Sequence, residues 1–233
     1  MTDTAPRASR HFEEELEHLK ERLLVMAGGA EEQVRAAVQS LVDRDYALAE
    51  RVLAGDAPIN QLHLEIDERC FQLLALQQPM ATDLRVVVSG VKINSDLERI
   101  GDFAVNIAEA TLGYLEHPAV KPLIDIPRMA EIAQGMLRDA LNAYVRQDMG
   151  LAQEVLDRDD SLDHLKDQVF RELLSFMLSD PSVTEQSLGL ILISRHLERI
   201  GDHATNIAEE AIFIVSGLDV RHHGQEGNAV RES

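Results

Sequence analysis

The sequence predicts an all-α protein made of two tandem three-helix bundles that are related by internal duplication. Apolar residues recur at alternating steps of three and four along most of the chain, which is the spacing of a helix with one buried face. Aromatic residues make up only 4% of the chain, so Leu, Ile, Val and Ala must fill the core, as is typical of helix-on-helix packing. A block of thirteen residues at 97–109 recurs at 197–209 with eleven identities.

The first bundle is predicted to span residues 1–117. Its three helices are expected at about 12–42, 45–76 and 83–115. The apolar stripe of the first helix continues in phase across Gly28 and Gly29, so these glycines weaken the helix without ending it. Asp45 can cap the second helix, and Pro58 predicts a bend in it, because proline is tolerated in a first turn but not in a helix interior.

A proline-rich linker is predicted at residues 118–127, followed by the second bundle at 128–217 and a disordered tail at 218–233. The second bundle repeats the pattern of the first, and Asp148 can cap its middle helix as Asp45 does. Its helices are expected at about 128–146, 149–178 and 183–216. The two units align with an offset of 103 residues in the middle helix and of 100 in the last, so one loop differs by three residues.

Composition limits the possible functions. The formal net charge of −19 argues against binding to nucleic acid or to anionic lipid, and favours cations or a basic partner as ligands. The only cysteine is Cys70, so no internal disulfide can form. No apolar run reaches the length of a membrane span, and the N-terminus lacks the apolar segment of a signal peptide. We therefore expect a cytoplasmic protein.

The repeated block keeps polar residues that packing alone does not require. At about 100° per residue, Glu98, Asp102, Asn106 and Glu109 fall within about 80° of one another on a helix, opposite the apolar positions. Like charges four residues apart destabilise a helix by a few tenths of a kcal/mol, and the glycine inside each block costs about 1 kcal/mol more. That glycine either permits close helix approach or leaves room beside the acidic row. The cost in both copies implies a compensating ligand or contact.

A second oxygen-bearing row lies on the preceding helix of each unit. Antiparallel packing can bring this row beside the acidic row, so that each unit offers four oxygen ligands to a divalent cation or to iron. The candidate metal ligands are Asp56, Asn60, Glu98, Asp102, Asn106, Asp159, Asp163, Glu198, Asp202 and Asn206. The row of the second unit then departs from that of the first, because Lys166 and Phe170 stand where the first unit has His63 and Asp67.

These residues resemble the PhoU family of accessory and regulatory proteins of bacterial phosphate uptake. The resemblance covers about 12–221 and is most specific in the two Leu-Glu-Arg-Ile-Gly-Asp blocks, at 97–102 and 197–202. Supporting segments are found at 51–56, 66–70 and 78–85. The resemblance implies two similar three-helix bundles and carboxylate motifs that bind metal ions, including multinuclear clusters. Asn60 departs from the strict motif, so we expect the first site to be the weaker one.

The resemblance also implies partners and an absence of catalysis. Such proteins link the ATPase of the phosphate transporter to a membrane sensor histidine kinase, restrain the phosphate-starvation response, and form homodimers or higher homo-oligomers. They reach the membrane only through these proteins. Two alternatives stay open. One is a carboxylate-bridged dimetal protein, an iron store or oxidase, although the chain has only one Glu-x-x-His element, at Glu15 and His18. The other is a metal-free acidic scaffold.

Overall fold

The computed structural model describes residues 5–77 and 79–218, and its helices confirm the predicted all-α fold. Seven α-helices and one short 3-10 turn, Pro181–Val183, follow one another along the described residues. The helices are α1 (Ala5–Asp43), α2 (Tyr46–Ala54), α3 (Ala57–Gln77), α4 (Thr82–Leu115), α5 (Asp125–Arg146), α6 (Met149–Ser179) and α7 (Thr184–Ser216). The predicted tail, apart from residue 218, lies outside the described residues.

The middle helix of the first bundle is broken where the sequence predicted only a bend. Gly55 ends α2, with its N–H donating to the carbonyl of Val52 at 3.0 Å. The Asp56 carbonyl then accepts the first backbone hydrogen bond of α3, from the N–H of Ile59 at 3.1 Å. Pro58 lies in that first turn, where no N–H is needed. The first bundle therefore contains four helices, whereas α6 runs unbroken through the corresponding region of the second.

The predicted caps of the middle helices are present in both bundles. The Asp45 side chain accepts a hydrogen bond from the N–H of Leu48 at 2.9 Å, at the start of α2. The Asp148 side chain accepts one from the N–H of Leu151 at 3.1 Å, at the start of α6. Each cap satisfies a backbone donor that the helix itself leaves unpaired, so the duplicated aspartates fix where these helices begin.

Helices α4 and α7 join the two bundles along an antiparallel seam. A Cβ atom on Gly189 would lie 3.8 Å from the carbonyl oxygen of Ala110, and Ser89 Oγ donates to Glu210 Oε2 at 2.8 Å. Residue numbers thus fall on one helix as they rise on the other. This arrangement sets the two Leu-Glu-Arg-Ile-Gly-Asp blocks side by side at the centre of the molecule, each with its acidic row turned toward its own bundle's middle helix.

Replacing Gly28 with alanine is expected to raise the free energy of unfolding by about 1 kcal/mol. Gly28 lies inside α1, and among the described residues no atom other than those of its chain neighbours and the local helix backbone stands within 4 Å of the position that a Cβ would take. Alanine therefore adds helix propensity without a clash. Urea unfolding measures the change. Gly201→Ala serves as the control, because its Cβ would overlap Leu162 Cδ2 and should cancel the gain.

Candidate functional site

The predicted acidic residues lie in two clusters, one in each bundle. The first cluster, where the start of α3 meets the middle of α4, consists of Asp56, Asn60, Glu98 and Asp102. The second cluster, where α6 meets the middle of α7, consists of Asp159, Asp163, Glu198 and Asp202. Each cluster therefore draws its oxygen atoms from two neighbouring helices, and the two are related by the duplication.

Gly101 allows the start of α3 to approach α4 closely at the first cluster. A Cβ atom on Gly101 would lie 3.2 Å from Ile59 Cδ1 and 3.9 Å from Asp56 Oδ1. The sequence left open whether this glycine serves close approach or free space, and the contact with Ile59 supports close approach. As a result the Asp56 carboxylate stands beside the turn of α4 that carries Asp102. Its Oδ1 atom is buried and has no hydrogen-bond partner among the described residues.

Three other oxygens of the first cluster already have partners. The side-chain amide of Asn60 donates to Asp56 Oδ2. Arg99 lies between the two acids of α4, with Nη1 3.2 Å from Asp102 Oδ2 and Nε 3.7 Å from Glu98 Oε2. Glu98 and Asp102 are only partly exposed. Because Arg99 is itself largely exposed, its ion pairs are screened by water and contribute little to stability.

The second cluster repeats this geometry around Gly201. A Cβ atom on Gly201 would overlap Leu162 Cδ2 and would lie 3.7 Å from Asp159 Oδ1. Leu162 thus has the role that Ile59 has in the first bundle. Arg199 again lies between the two acids of α7, with Nη1 3.0 Å from Asp202 Oδ2 and Nε 3.9 Å from Glu198 Oε2. Both clusters therefore sit beside a glycine that a large apolar side chain covers.

The carboxylates of the second cluster are close enough to perturb one another. Burial and, after it, the neighbouring charges of Asp202, Asp163, Asp160 and Glu198 together raise the pKa of the Asp159 carboxyl to about 6. A carboxylate whose pKa is raised in this way is destabilised in its charged form. A bound cation would relieve that repulsion.

The contribution of Asp159 to the free energy of unfolding of the metal-free protein is expected to fall as pH rises from about 4 to about 6. In this range folded Asp159, with its pKa raised to about 6, keeps a proton that the unfolded chain has already released. Above this range the charged carboxylate destabilises the folded state by about 1 kcal/mol after solvent screening. Urea unfolding in the presence of a chelator should show Asp159→Asn to be the more stable protein at pH 7. The exposed Asp157→Asn is the control, and equal slopes for all three proteins would contradict this expectation.

Lys166 distinguishes the second cluster from the first. Its Nζ atom lies 3.1 Å from Asp163 Oδ1, 3.3 Å from Glu198 Oε1 and 3.7 Å from Asp167 Oδ1. Burial lowers the pKa of Lys166, but the hydrogen bonds to Asp163 and Glu198 outweigh that effect and the pKa is raised. The sequence showed that Lys166 interrupts the oxygen row of α6. It did not show that the ammonium group would reach across to α7.

The two asparagines of the predicted ligand set lie differently from the carboxylates. Asn206 donates from Nδ2 to Asp96 Oδ1 at 3.2 Å, across the seam between α4 and α7. Asn106 is half-buried one turn beyond Asp102 and, within the described part of the chain, makes no hydrogen bond to the first cluster. Their role as ligands stays a prediction, and the structure gives Asn206 a second function in joining the bundles.

The composition of the clusters suits a hard cation, although their side chains are arranged around basic residues. Carboxylate and amide oxygens are the ligands that such cations prefer, and within the part of the chain that the structure describes the buried Oδ1 atom of Asp56 is an acceptor without a donor. Over the described ranges, no three His, Cys, Asp or Glu side chains stand ready to coordinate one ion. Side-chain rotation away from Arg99, Arg199 and Lys166 is therefore needed before both helices can share an ion.

Sequence reasoning did not identify the polar contacts of the seam. His203 Nδ1 lies 2.7 Å from Asp96 Oδ1, and the His203 ring lies 5.6 Å from that of Phe103. Glu210 is buried between the helices and accepts hydrogen bonds from Ser89 and from Lys92. The sequence did contain one indication, an acidic residue, Glu210, on the apolar face of α7. Its partners lie more than one hundred residues away in the sequence, so no local pattern identifies them.

The chain is similar to known proteins over most of its length. PhoU domains match at residues 23–111 and 126–211. The phosphate-specific transport system accessory protein PhoU homolog of Pseudomonas putida is 41% identical over 93% of this chain and 85% of its own. The protein of the same name from Caulobacter vibrioides is 42% identical over 91% of this chain and 92% of its own.

Two crystal structures share the fold. PhoU from Pseudomonas aeruginosa superimposes with a TM-score of 0.85 at 40% identity, and the match covers 89% of this chain and 100% of the other. The phosphate transport system regulatory protein PhoU from Streptococcus pneumoniae superimposes with a TM-score of 0.83 at 29% identity, over 90% and 99% of the two chains. Throughout residues 5–77 and 79–218, no helix is both long and apolar enough to cross a membrane.

Proposed function

Because the chain belongs to the PhoU family, we propose that it is an accessory protein of phosphate transport that binds metal ions and restrains the phosphate-starvation response. It acts in the cytoplasm and not as an enzyme. Its partners are the ATPase of the phosphate transporter and a membrane sensor histidine kinase, and it forms homodimers or higher homo-oligomers. The observation that supports metal binding is the pairing of acidic residues across two helices, repeated in both bundles around Gly101 and Gly201.

In each cluster, residues from two helices would hold the metal ion. In the first cluster Asp56 and Asn60 would hold an ion from α3, and Glu98 and Asp102 from α4. In the second cluster Asp159 and Asp163 would act from α6, and Glu198 and Asp202 from α7. A bound divalent cation or iron ion, alone or in a multinuclear cluster, supplies positive charge at a surface that otherwise repels anions. Because each ion joins two helices, binding should also stabilise the folded bundle.

Manganese binding tests the metal part of the proposal. The purified protein is stripped with a chelator and titrated with Mn²⁺, and the unbound ion is followed by its paramagnetic resonance signal. The double variant Glu98→Gln with Asp102→Asn is expected to lose the first site, because it removes both carboxylates that α4 contributes. A matched control, Glu68→Gln with Asp83→Asn, removes the same charge from exposed positions on α3 and α4 and should bind as the wild type does. Equal stoichiometry for all three proteins would remove the first cluster from the proposal.

Gene deletion tests the regulatory part. Cells that lack the protein should express phosphatase in phosphate-rich medium, where the intact strain does not. A plasmid copy of the wild-type gene should restore the restraint. If the deletion strain stays repressed, the protein assists transport without regulating the starvation response.

A metal-free acidic scaffold is the second candidate, and the basic side chains in both clusters favour it. Arg99, Arg199 and Lys166 already neutralise part of the acidic charge without an ion. The two functions differ in what dissociates the protein from its partner. Binding that is lost in chelator supports the metal, whereas binding that is lost only at high salt supports bare charge, since salt screens exposed ion pairs.

A further inference from the structure

The second cluster contains a lysine side chain, Lys166, that has no counterpart in the first cluster, although the two clusters arise from the same repeat. Lys166 Nζ lies 3.3 Å from Glu198 Oε1 on α7 and 3.1 Å from Asp163 Oδ1 on its own helix. It therefore lies between two of the predicted ligands, on the two helices that a metal ion would join. The corresponding residue of the first bundle is His63, whose Nε2 atom lies 3.6 Å from Asp67 Oδ2, away from the first cluster.

We propose that Lys166 competes with metal ions for the second cluster, so that the first cluster is loaded at lower metal concentration than the second. This inference rests on the metal binding proposed above. It reverses the order of metal affinity that Asn60 alone suggests. That expectation counted the carboxylates in each cluster and left out the Lys166 ammonium group that already contacts two of them.

The two clusters have the same formal charge, but they differ in their hydrogen bonds. The second cluster has one more carboxylate than the first, and Lys166 offsets that charge, while Arg99 and Arg199 occupy equivalent places. A metal ion entering the second cluster must replace the Lys166 contacts to Asp163 and Glu198. In the first cluster the buried Oδ1 atom of Asp56 accepts no hydrogen bond from any residue in the described ranges, so an ion has none to replace there.

A surface groove can accommodate the Lys166 side chain when a metal ion displaces it. A groove of about 360 Å³ opens beside the second cluster and is lined in part by Lys166, Phe170, Ile191 and Ser194. The Lys166 side chain already forms part of its wall, and it can turn toward solvent there without disturbing the core. Metal binding at the second cluster therefore requires a change of the Lys166 rotamer, for which the groove provides space.

Manganese titration of position 166 variants tests the inference. Wild-type protein should show two affinity classes, and Asp159→Asn with Asp163→Asn should remove the weaker class. Lys166→Met removes the ammonium and keeps the length of the side chain, so the affinity of the second cluster should rise about tenfold. His63→Lys installs a lysine at the matching position of the first cluster and should weaken that site. The control is Lys20→Met, which removes a lysine that pairs with Glu17 outside both clusters.

The outcomes separate this inference from the proposed function. If Lys166→Met leaves the weaker affinity class unchanged while the first cluster still binds Mn²⁺, the role of Lys166 is wrong and the metal proposal stands. If no variant binds Mn²⁺ at either cluster, both are wrong. Circular dichroism confirms that each variant is folded, and Lys166→Gln replaces Lys166→Met if the latter does not fold. Equal affinities at the two wild-type clusters would also overturn the inference.

Discussion

Replacing Lys92 with methionine is expected to lower the free energy of unfolding by about 3 kcal/mol, because it breaks an ion pair with a buried carboxylate. Glu210 is only 3% exposed in the seam between α4 and α7. Lys92 Nζ lies 2.8 Å from Glu210 Oε1 and also lies over the ring of Phe213. Ser89 donates a second hydrogen bond to the same carboxylate, and a hydroxyl does not replace the charge of an ammonium group. Chemical denaturation measures the loss.

A double variant provides the control for this expectation. Glu210→Leu removes the buried charge and fills its space, so Lys92→Met with Glu210→Leu should be more stable than Lys92→Met alone. If the two proteins are equally unstable, the loss comes from packing of the lysine stem and not from the broken ion pair with Glu210.

Replacing Leu162 with alanine is expected to lower the free energy of unfolding by about 3 kcal/mol. Leu162 is fully buried and covers Gly201 in the second bundle, so its removal leaves a cavity directly beneath the second cluster. The surrounding helices are held by their own contacts and can close that cavity only in part. Denaturation again measures the effect.

Leu178→Ala is the matched control, because Leu178 lies on the same helix and is 79% exposed. Its replacement should change the free energy of unfolding by less than about 0.5 kcal/mol. Equal losses for the two variants would mean that the contact between Leu162 and Gly201 contributes no specific stability. It would also remove the physical reason for the glycine of the repeated block.

Much of the fold could be predicted because its signals are local. The apolar spacing within α1 and the caps at Asp45 and Asp148 depend on residues within one or two turns of one another. The break between α2 and α3 was harder, because Gly55 and Pro58 permit either a bend or two separate helices. The structure has two separate helices, and the backbone carbonyl of Asp56 accepts the first hydrogen bonds of α3.

The candidate site contains both contacts that local sequence patterns predict and contacts that they do not. Helical spacing correctly placed Glu98 and Asp102 on one face, because that relation lies within a single helix. It could not assign Asn206 a partner, since Asp96 belongs to the other bundle. Nor could it show that Lys166 reaches Glu198, because the reach of a long side chain depends on how closely α6 and α7 approach at Gly201. These contacts are tertiary and leave no periodic signal.

Anomalous diffraction from crystals soaked in Mn²⁺ is the most direct test of the claim that acidic residues on neighbouring helices share one ion. We expect a peak within coordination distance of Asp56 Oδ1 and of at least one carboxylate on α4, appearing at lower Mn²⁺ concentration than any peak beside Glu198. Ions found only at isolated surface acids, with Asp56 and Glu98 unchanged in fully soaked crystals, would contradict it.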